Sequence, residues 1–488
     1  MKEISLLFRR RSPRRMSRAT ITTMTTAAMM IQVKGVKSMP PVNQIPAVAA
    51  HRLPGLRCPS MTIAFPDVPL AGHTVTRVLW AVALAAVVIL VLAQPRPRRI
   101  RTAVGTVAVS AALTATGLAV FLWGFHVPAS QISPSVVVAA FLTLVGVLLG
   151  GAAVLSGWRR AWALVPMCVS LVTALLLVNQ AFVFYPDTES LDPATTYTEV
   201  AAGDLPPAGR TVPVADWHPR RGLPRYGTVT TLDPANTASG FQARPASVYL
   251  PPAWYSDPRP QLPVLVLMPG IPGSPDQWFS QGAATQAADA WQLSHHGLAP
   301  VIITVDGSGG EWTDPLCTDS PRAKVRTYLT RDVPGWLVDR FGVTPDRSRW
   351  TIGGLSYGGT CSLQTILNAP DAYGSFLDFS GERTPNNGVD HESTVRDFFD
   401  GSEDAFRRQN PEDLLRSRPE RFRSVAGRFV AGADDHDAVN DLRLLDGLAV
   451  GAGMDVSYTE VPGGHDFETW RTAVAQSLPF VAQRGGIG

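Results

Sequence analysis

The stretch 351-TIGGLSYGGT-360 sets Gly354-x-Ser356-x-Gly358 between an apolar run, 350-WTIGG-354, and a helix-forming run, 357-YGGTCSLQTIL-367. Alone, so short a pattern recurs by chance. Between a strand and a helix it has mechanical meaning. Glycines lack Cβ atoms, so strand and helix can approach closely while the serine takes a strained backbone conformation on a sharp turn. That turn puts the hydroxyl at a helix N-terminus, where backbone N–H groups favour developing negative charge. Ser356 is therefore the candidate nucleophile.

A serine hydroxyl reacts poorly unless a base takes its proton. The candidate base is His465 in 461-VPGGHDFETW-470, on a glycine-containing loop between a strand and the last helix. His295 and His296 stand at a helix end before Gly297 and read as surface residues; His391 and His436 fall in loops without an evident role. The base needs an acid to hold its tautomer. The segment 428-RFVAGADDHDAVND-441 offers Asp434, Asp435 and Asp437 just after a strand. Asp435, three residues past Gly432, is chosen because the turn there reads G-x-x-D, with Asp434 and Asp437 as rivals. The DDHD run lacks the spacing of a calcium loop. Nucleophile, acid and base in that chain order are expected of an α/β-hydrolase fold. Donors for an oxyanion would be the N–H of Tyr357, next to the serine, and that of Ile271 in 269-PGIPGSPDQW-278. Trp278 and Trp312 fall in neighbouring loops and fit a substrate pocket or ordinary packing. No cofactor is implied, since side chains and backbone amides complete the chemistry.

Around these motifs, strand-length apolar runs alternate with helical patterns from residue 225 to 488. Strands are expected at 226–231, 246–250, 263–268, 300–305, 350–353, 428–431 and 456–461, and helices at 282–295, 322–341, 357–367, 437–450 and 468–483. Such alternation predicts a mostly parallel sheet with helices on both faces, its functional groups at the carboxyl ends of the strands. The Pro-, Asp- and Thr-rich stretch 186–224 reads as a linker.

Upstream, residues 74–185 are dominated by Ala, Val and Leu. Four runs, 78–93, 103–125, 136–155 and 161–184, approach the ~20 apolar residues a bilayer-crossing helix needs. The loop between the first two carries Arg96, Arg98, Arg99 and Arg101, and that between the last two Arg159 and Arg160; the middle loop has no Lys or Arg. Basic loops stay cytoplasmic, which predicts a catalytic domain outside the plasma membrane. The basic cluster 8-FRRRSPRRMSR-18 fits poorly with an N-terminus outside. Translation starting at Met61 would remove it; the rival is a disordered basic tail kept in the cytoplasm. A net charge of +3 gives no electrostatic case for a nucleic-acid partner. Cys317 and Cys361 could form a disulfide outside the cytoplasm, or be two unrelated buried thiols.

Taken together, 244-RPASVYLPPAW-254, 262-LPVLVLMPGIPGSPDQW-278, 350-WTIGGLSYGGTCSL-363 and 460-EVPGGHDFETW-470 resemble the putative esterase family of α/β-hydrolases. That family includes esterase D, enterochelin esterases and mycobacterial mycolyltransferases. The resemblance covers about 212–488 and implies Ser356 as nucleophile, His465 as base and the Ile271 loop for the oxyanion. Relatives use Glu or Asp as the acid, which keeps Asp435 provisional. An envelope-facing hydrolase behind membrane spans also resembles actinobacterial proteins. The expected activity is that of a membrane-anchored serine esterase or acyltransferase on an ester or acyl-lipid substrate. Hydrolysis and transfer share every residue named. A non-catalytic envelope-binding protein on the same fold is the alternative. A transporter is disfavoured because the apolar runs lack internal charge.

Overall fold

A computed structural model describes residues 68–124, 132–191, 197–207, 209–219 and 222–488. The readings of residues 1–60 and of a start at Met61 lie outside the described residues, as does the end of the second apolar run at Phe125.

Among the described residues, four α-helices precede the sheet: α1 (His73–Ala93), α2 (Arg99–Ala119), α3 (Pro134–Leu155) and α4 (Leu164–Phe182). With their flanking turns all four are long and apolar enough to cross a membrane. Their outer faces expose Val88, Leu92, Val104, Leu113 and Leu175, which water would not favour. Close packing among them rests on small residues. A Cβ added to Gly146 would lie 2.6 Å from Ser170 Oγ, and one on Gly150 2.9 Å from Met167 Cβ, so α3 and α4 meet along a Gly-x-x-x-Gly face. The end of α4 is fixed by Asn179, whose amide donates to Tyr185 O and accepts from Tyr185 N–H.

Among the described residues, the rest of the chain builds eleven strands: β1 (Thr198–Glu199), β2 (Thr211–Pro213), β3 (Thr228–Leu232), β4 (Ala246–Leu250), β5 (Arg259–Gln261), β6 (Val264–Met268), β7 (Val301–Thr304), β8 (Trp350–Leu355), β9 (Ser375–Phe379), β10 (Ala426–Gly432) and β11 (Asp455–Val461). Nine form one sheet in the order β1-β3-β4-β7-β6-β8-β9-β10-β11, and β2 pairs with β5. From β7 to β11 every pairing is parallel; β4 runs antiparallel to both neighbours. The central strands are buried on both faces, hence the unbroken apolar run 264-VLVLM-268. One face is covered by α6 (Val333–Phe341), α7 (Tyr357–Asn368) and α8 (His436–Gly451), through Leu337, Leu363 and Leu442. The other is covered by α5 (Ala284–Ser294) and α9 (Phe467–Gly485), through Ala288, Trp470 and Leu478. This is an α/β-hydrolase fold, mostly parallel with helices on both faces.

Three expectations change. Within 186–224, read as a linker, β1 extends the main sheet and β2 pairs with β5. The run 375-SFLDF-379, outside the expected strands, is a central strand whose apolar pattern is interrupted by the carboxylate of Asp378. The helix expected over 322–341 is split into Val325–Thr327, a π turn at Tyr328–Asp332 and α6. Pro334 has no N–H to continue a regular ladder there, which accounts for the interruption. Cys317 and Cys361 are joined as a disulfide, with Cα atoms 5.2 Å apart.

Candidate active site

The chain passes from β6 outward to β7 and returns on the other side of β6 to β8, so strand order reverses at β6. Such a reversal opens a crevice at the strands' carboxyl ends. Register places Met268 of β6 opposite Gly354 of β8. The 269–278 loop and Ser356 therefore emerge side by side.

Ser356 lies between β8 and α7 with φ 54° and ψ −119°, a conformation disfavoured for a residue with a side chain. The turn is held by Ser356 N–H donating to Phe379 O at 2.8 Å and by Thr360 N–H donating to Ser356 O at 3.0 Å. Gly358 is required by contact: a Cβ there would sit 2.4 Å from Met268 O.

His465 Nε2 is 2.9 Å from Ser356 Oγ, and His465 Nδ1 is 2.7 Å from Asp435 Oδ2. Two adjacent parallel strands bring the acid and the imidazole together, because β10 and β11 end in register at Gly432 and Val461. Asp434 N–H donates to Gly463 O at 3.0 Å and joins the two loops, while Asp435 N–H donates to Gly432 O, also at 3.0 Å, and closes its own turn. The other Asp435 oxygen accepts from Ala438 N–H and caps α8. Asp434 and Asp437 are exposed. Trp470 stands edge-on to the imidazole, ring centroids 5.2 Å apart. Asp466 fixes the loop's far end, accepting from the N–H groups of Gly464, Glu468 and Thr469.

The Ile271 loop packs directly on Ser356: a Cβ on Gly270 would lie 3.4 Å from Ser356 Cβ. Among the described residues, neither Ile271 N–H nor Tyr357 N–H donates to a protein acceptor. Both remain available to an oxygen placed beside Ser356. An ion pair that no motif announces anchors this loop. Arg244 donates Nε–H and Nη2–H to the two oxygens of Asp306, each at 2.9 Å, and Nη1–H to Gly273 O at 2.8 Å. Burial would raise the Asp306 carboxyl, but hydrogen bonds from Arg244 and Ser308 hold it below its ordinary value. A basic residue before β4 and an acid after β7 gave no sequence signal, because antiparallel pairing of β4 with β7 is what joins them.

Trp278 and Trp312 part company. Trp278 is fully buried and donates to Met268 O, so it is core, whereas Trp312 is half exposed and lines the cleft. His295 stacks on Trp291, and His391 bonds Glu403. A polar wall faces the site. Burial raises Glu382, opposed by a hydrogen bond from Asn386 and by attraction to His465. Burial pushes Asp314 up to about 7. The Tyr357 phenol, also raised by burial, stays neutral and donates to Gly307 O.

The sequence pattern of the family described as putative esterase matches residues 241–481. An uncharacterized protein of Corynebacterium glutamicum is 45% identical over 323 residues, covering 65% of this chain and 75% of that protein. Among solved structures, a ferulic acid esterase is 22% identical, with 53% of this chain and 98% of that one covered and a TM-score of 0.46. An S-formylglutathione hydrolase from Agrobacterium tumefaciens is 18% identical, with 54% and 97% covered and a TM-score of 0.43.

Proposed function

We propose that this chain, which belongs to the putative esterase family, is a membrane-anchored serine esterase or acyltransferase whose cleft lies outside the cytoplasmic membrane. The observation that carries the reading is the continuous link Ser356–His465–Asp435, at 2.9 and 2.7 Å. Ser356 Oγ attacks the acyl carbonyl while His465 Nε2 takes its proton. Asp435 holds the Nδ1–H tautomer and stabilises the imidazolium. The N–H groups of Tyr357 and Ile271 receive the oxyanion. His465 then returns the proton to the leaving alcohol, and water or an acceptor alcohol resolves the acyl-enzyme. The side is inferred from charge. The cleft abuts residues 113–121, 132–144 and 182–184, at the opposite helix ends from Arg96, Arg98, Arg99 and Arg160.

A fluorophosphonate probe should label the wild-type chain at Ser356 and leave Ser356→Ala unlabelled, with ester turnover down by about 10⁴-fold or more. Absence of labelling in a folded wild-type protein would point instead to a binding module.

A further inference from the structure

Two cavities meet at Ser356. One, of about 300 Å³, is walled by Asp314, Arg322, Gln364, Glu382 and Asn386. The other, of about 550 Å³, is almost wholly apolar. Its far wall is not made by the catalytic domain. Leu113, Leu118 and Phe121 reach it from α2 and the turn that follows, and Val136, Ala140 and Leu144 reach it from α3. Ile271, Pro272, Trp312 and Ser356 line both cavities, so the nucleophile stands at their junction.

The junction is braced. Phe121 meets Trp312 edge-on, with ring centroids 6.4 Å apart, and Phe184 packs on Phe467 at 5.5 Å. Arg471 of α9 donates to Val183 O just past α4, at 2.9 Å, and to Gln281 O at 2.8 Å. These contacts hold the apolar helices against the catalytic domain and keep the second cavity continuous with the site.

We propose that the apolar cavity is the acyl site and that the substrate is a lipid ester resident in the bilayer. Its long acyl chain lies against α2 and α3, and its polar alcohol portion occupies the polar cavity. The proposal rests on Ser356 acting as a serine-hydrolase nucleophile. A cavity walled by helices that contact lipid tails offers an acyl chain surroundings like those it leaves, so the chain need not cross water to reach Ser356. The polar cavity supplies carboxylates, a guanidinium and amides for a hydroxylated or charged group. In the reaction the bond from Ser356 Oγ to the acyl carbon forms as the acyl carbon's bond to the alcohol oxygen breaks. The serine proton passes through His465 to that alcohol.

The test uses the full chain in detergent micelles with p-nitrophenyl acetate, octanoate and palmitate. Wild-type kcat/KM, referred to the concentration of ester free in water rather than held in micelles, should climb with chain length, by up to about fourfold for each methylene taken into the apolar cavity. Gly117 lines that cavity, and a Cβ built there meets nothing within 4 Å, so Gly117→Trp fills it. Ala140→Phe does the same from α3. In each variant the palmitate-to-acetate ratio should fall by at least about tenfold, with fluorophosphonate labelling confirming a folded site. A flat wild-type profile, or a ratio unchanged in a labelled variant, overturns the acyl site while leaving the serine reading intact. No turnover of any ester by the wild type, or turnover surviving Ser356→Ala, overturns the serine reading itself, and the acyl site with it.

Discussion

Arg244→Met removes a guanidinium that holds two things at once. It neutralises Asp306, whose side chain is fully buried, and it anchors the carbonyl of Gly273, two residues past Ile271. Losing one partner of a buried ion pair costs about 3–5 kcal/mol. The backbone N–H groups of residue 244, Ser308 and Gly309 still reach Asp306, and Arg244 is itself a quarter exposed. The loss therefore belongs near the lower end, about 3 kcal/mol. Freed at Gly273, the loop should no longer hold Ile271 N–H against the oxyanion, and loss of one such donor lowers kcat by about 10²–10³-fold. Adding Asp306→Asn separates the two effects. Without the stranded charge, the double variant should regain at least half of the lost stability, read by chemical denaturation. Its kcat on a p-nitrophenyl ester should stay low, because nothing restores the anchor on Gly273. Recovery of kcat together with stability would refute the anchoring role, as would a single variant with wild-type kcat.

Asp435→Asn should lower kcat by about 10⁴-fold while still capping α8, whereas Asp434→Asn, at an exposed carboxylate, should stay within about twofold of wild type; steady-state kinetics on both variants identifies the acid. Gly432→Ala should displace the histidine loop, since the new Cβ would lie 2.4 Å from Gly464 O; a loss of about 10²-fold in kcat is expected from an ångström of misplacement, and normal kinetics would show that the loop yields elsewhere. Asp378, buried in β9, has its carboxyl pushed up to about 8 by burial, with Gly381 N–H opposing the rise. Its folded form therefore keeps a proton that the unfolded chain sheds near pH ~4, so its contribution to stability is present at acid pH and is lost as pH rises toward about 8. Melting curves across that interval should show Asp378→Asn gaining on wild type as pH rises, and parallel curves would count against a protonated Asp378.

How much was legible followed from the range of each interaction. The turn around Ser356 was readable because Gly354, Ser356 and Gly358 lie within five residues and their demands are local. His465 was readable for the same reason, on a glycine-bearing turn between an apolar run and a helix. For the acid, the G-x-x-D turn favoured Asp435 but left Asp434 and Asp437 as rivals: Asp434 and Asp435 differ by one residue, and only the turn after β10, joined to the loop after β11, selects which carboxylate meets the imidazole. The strand β9 was missed because the buried carboxylate at Asp378 breaks the apolar pattern that marks a central strand.

Local patterning, then, determined the alternating fold, four helices of membrane-crossing length and the choice of Ser356 and His465 as candidates, since periodicity and turn chemistry act over a few residues. Tertiary structure decided which aspartate accepts from His465, that Arg244 and Asp306 brace the Ile271 loop, that Trp278 is core while Trp312 faces the cleft, and that α2 and α3 wall a cavity at Ser356. Each of these depends on strand register or helix docking between segments far apart in the chain, and no local pattern reports where two distant surfaces will touch.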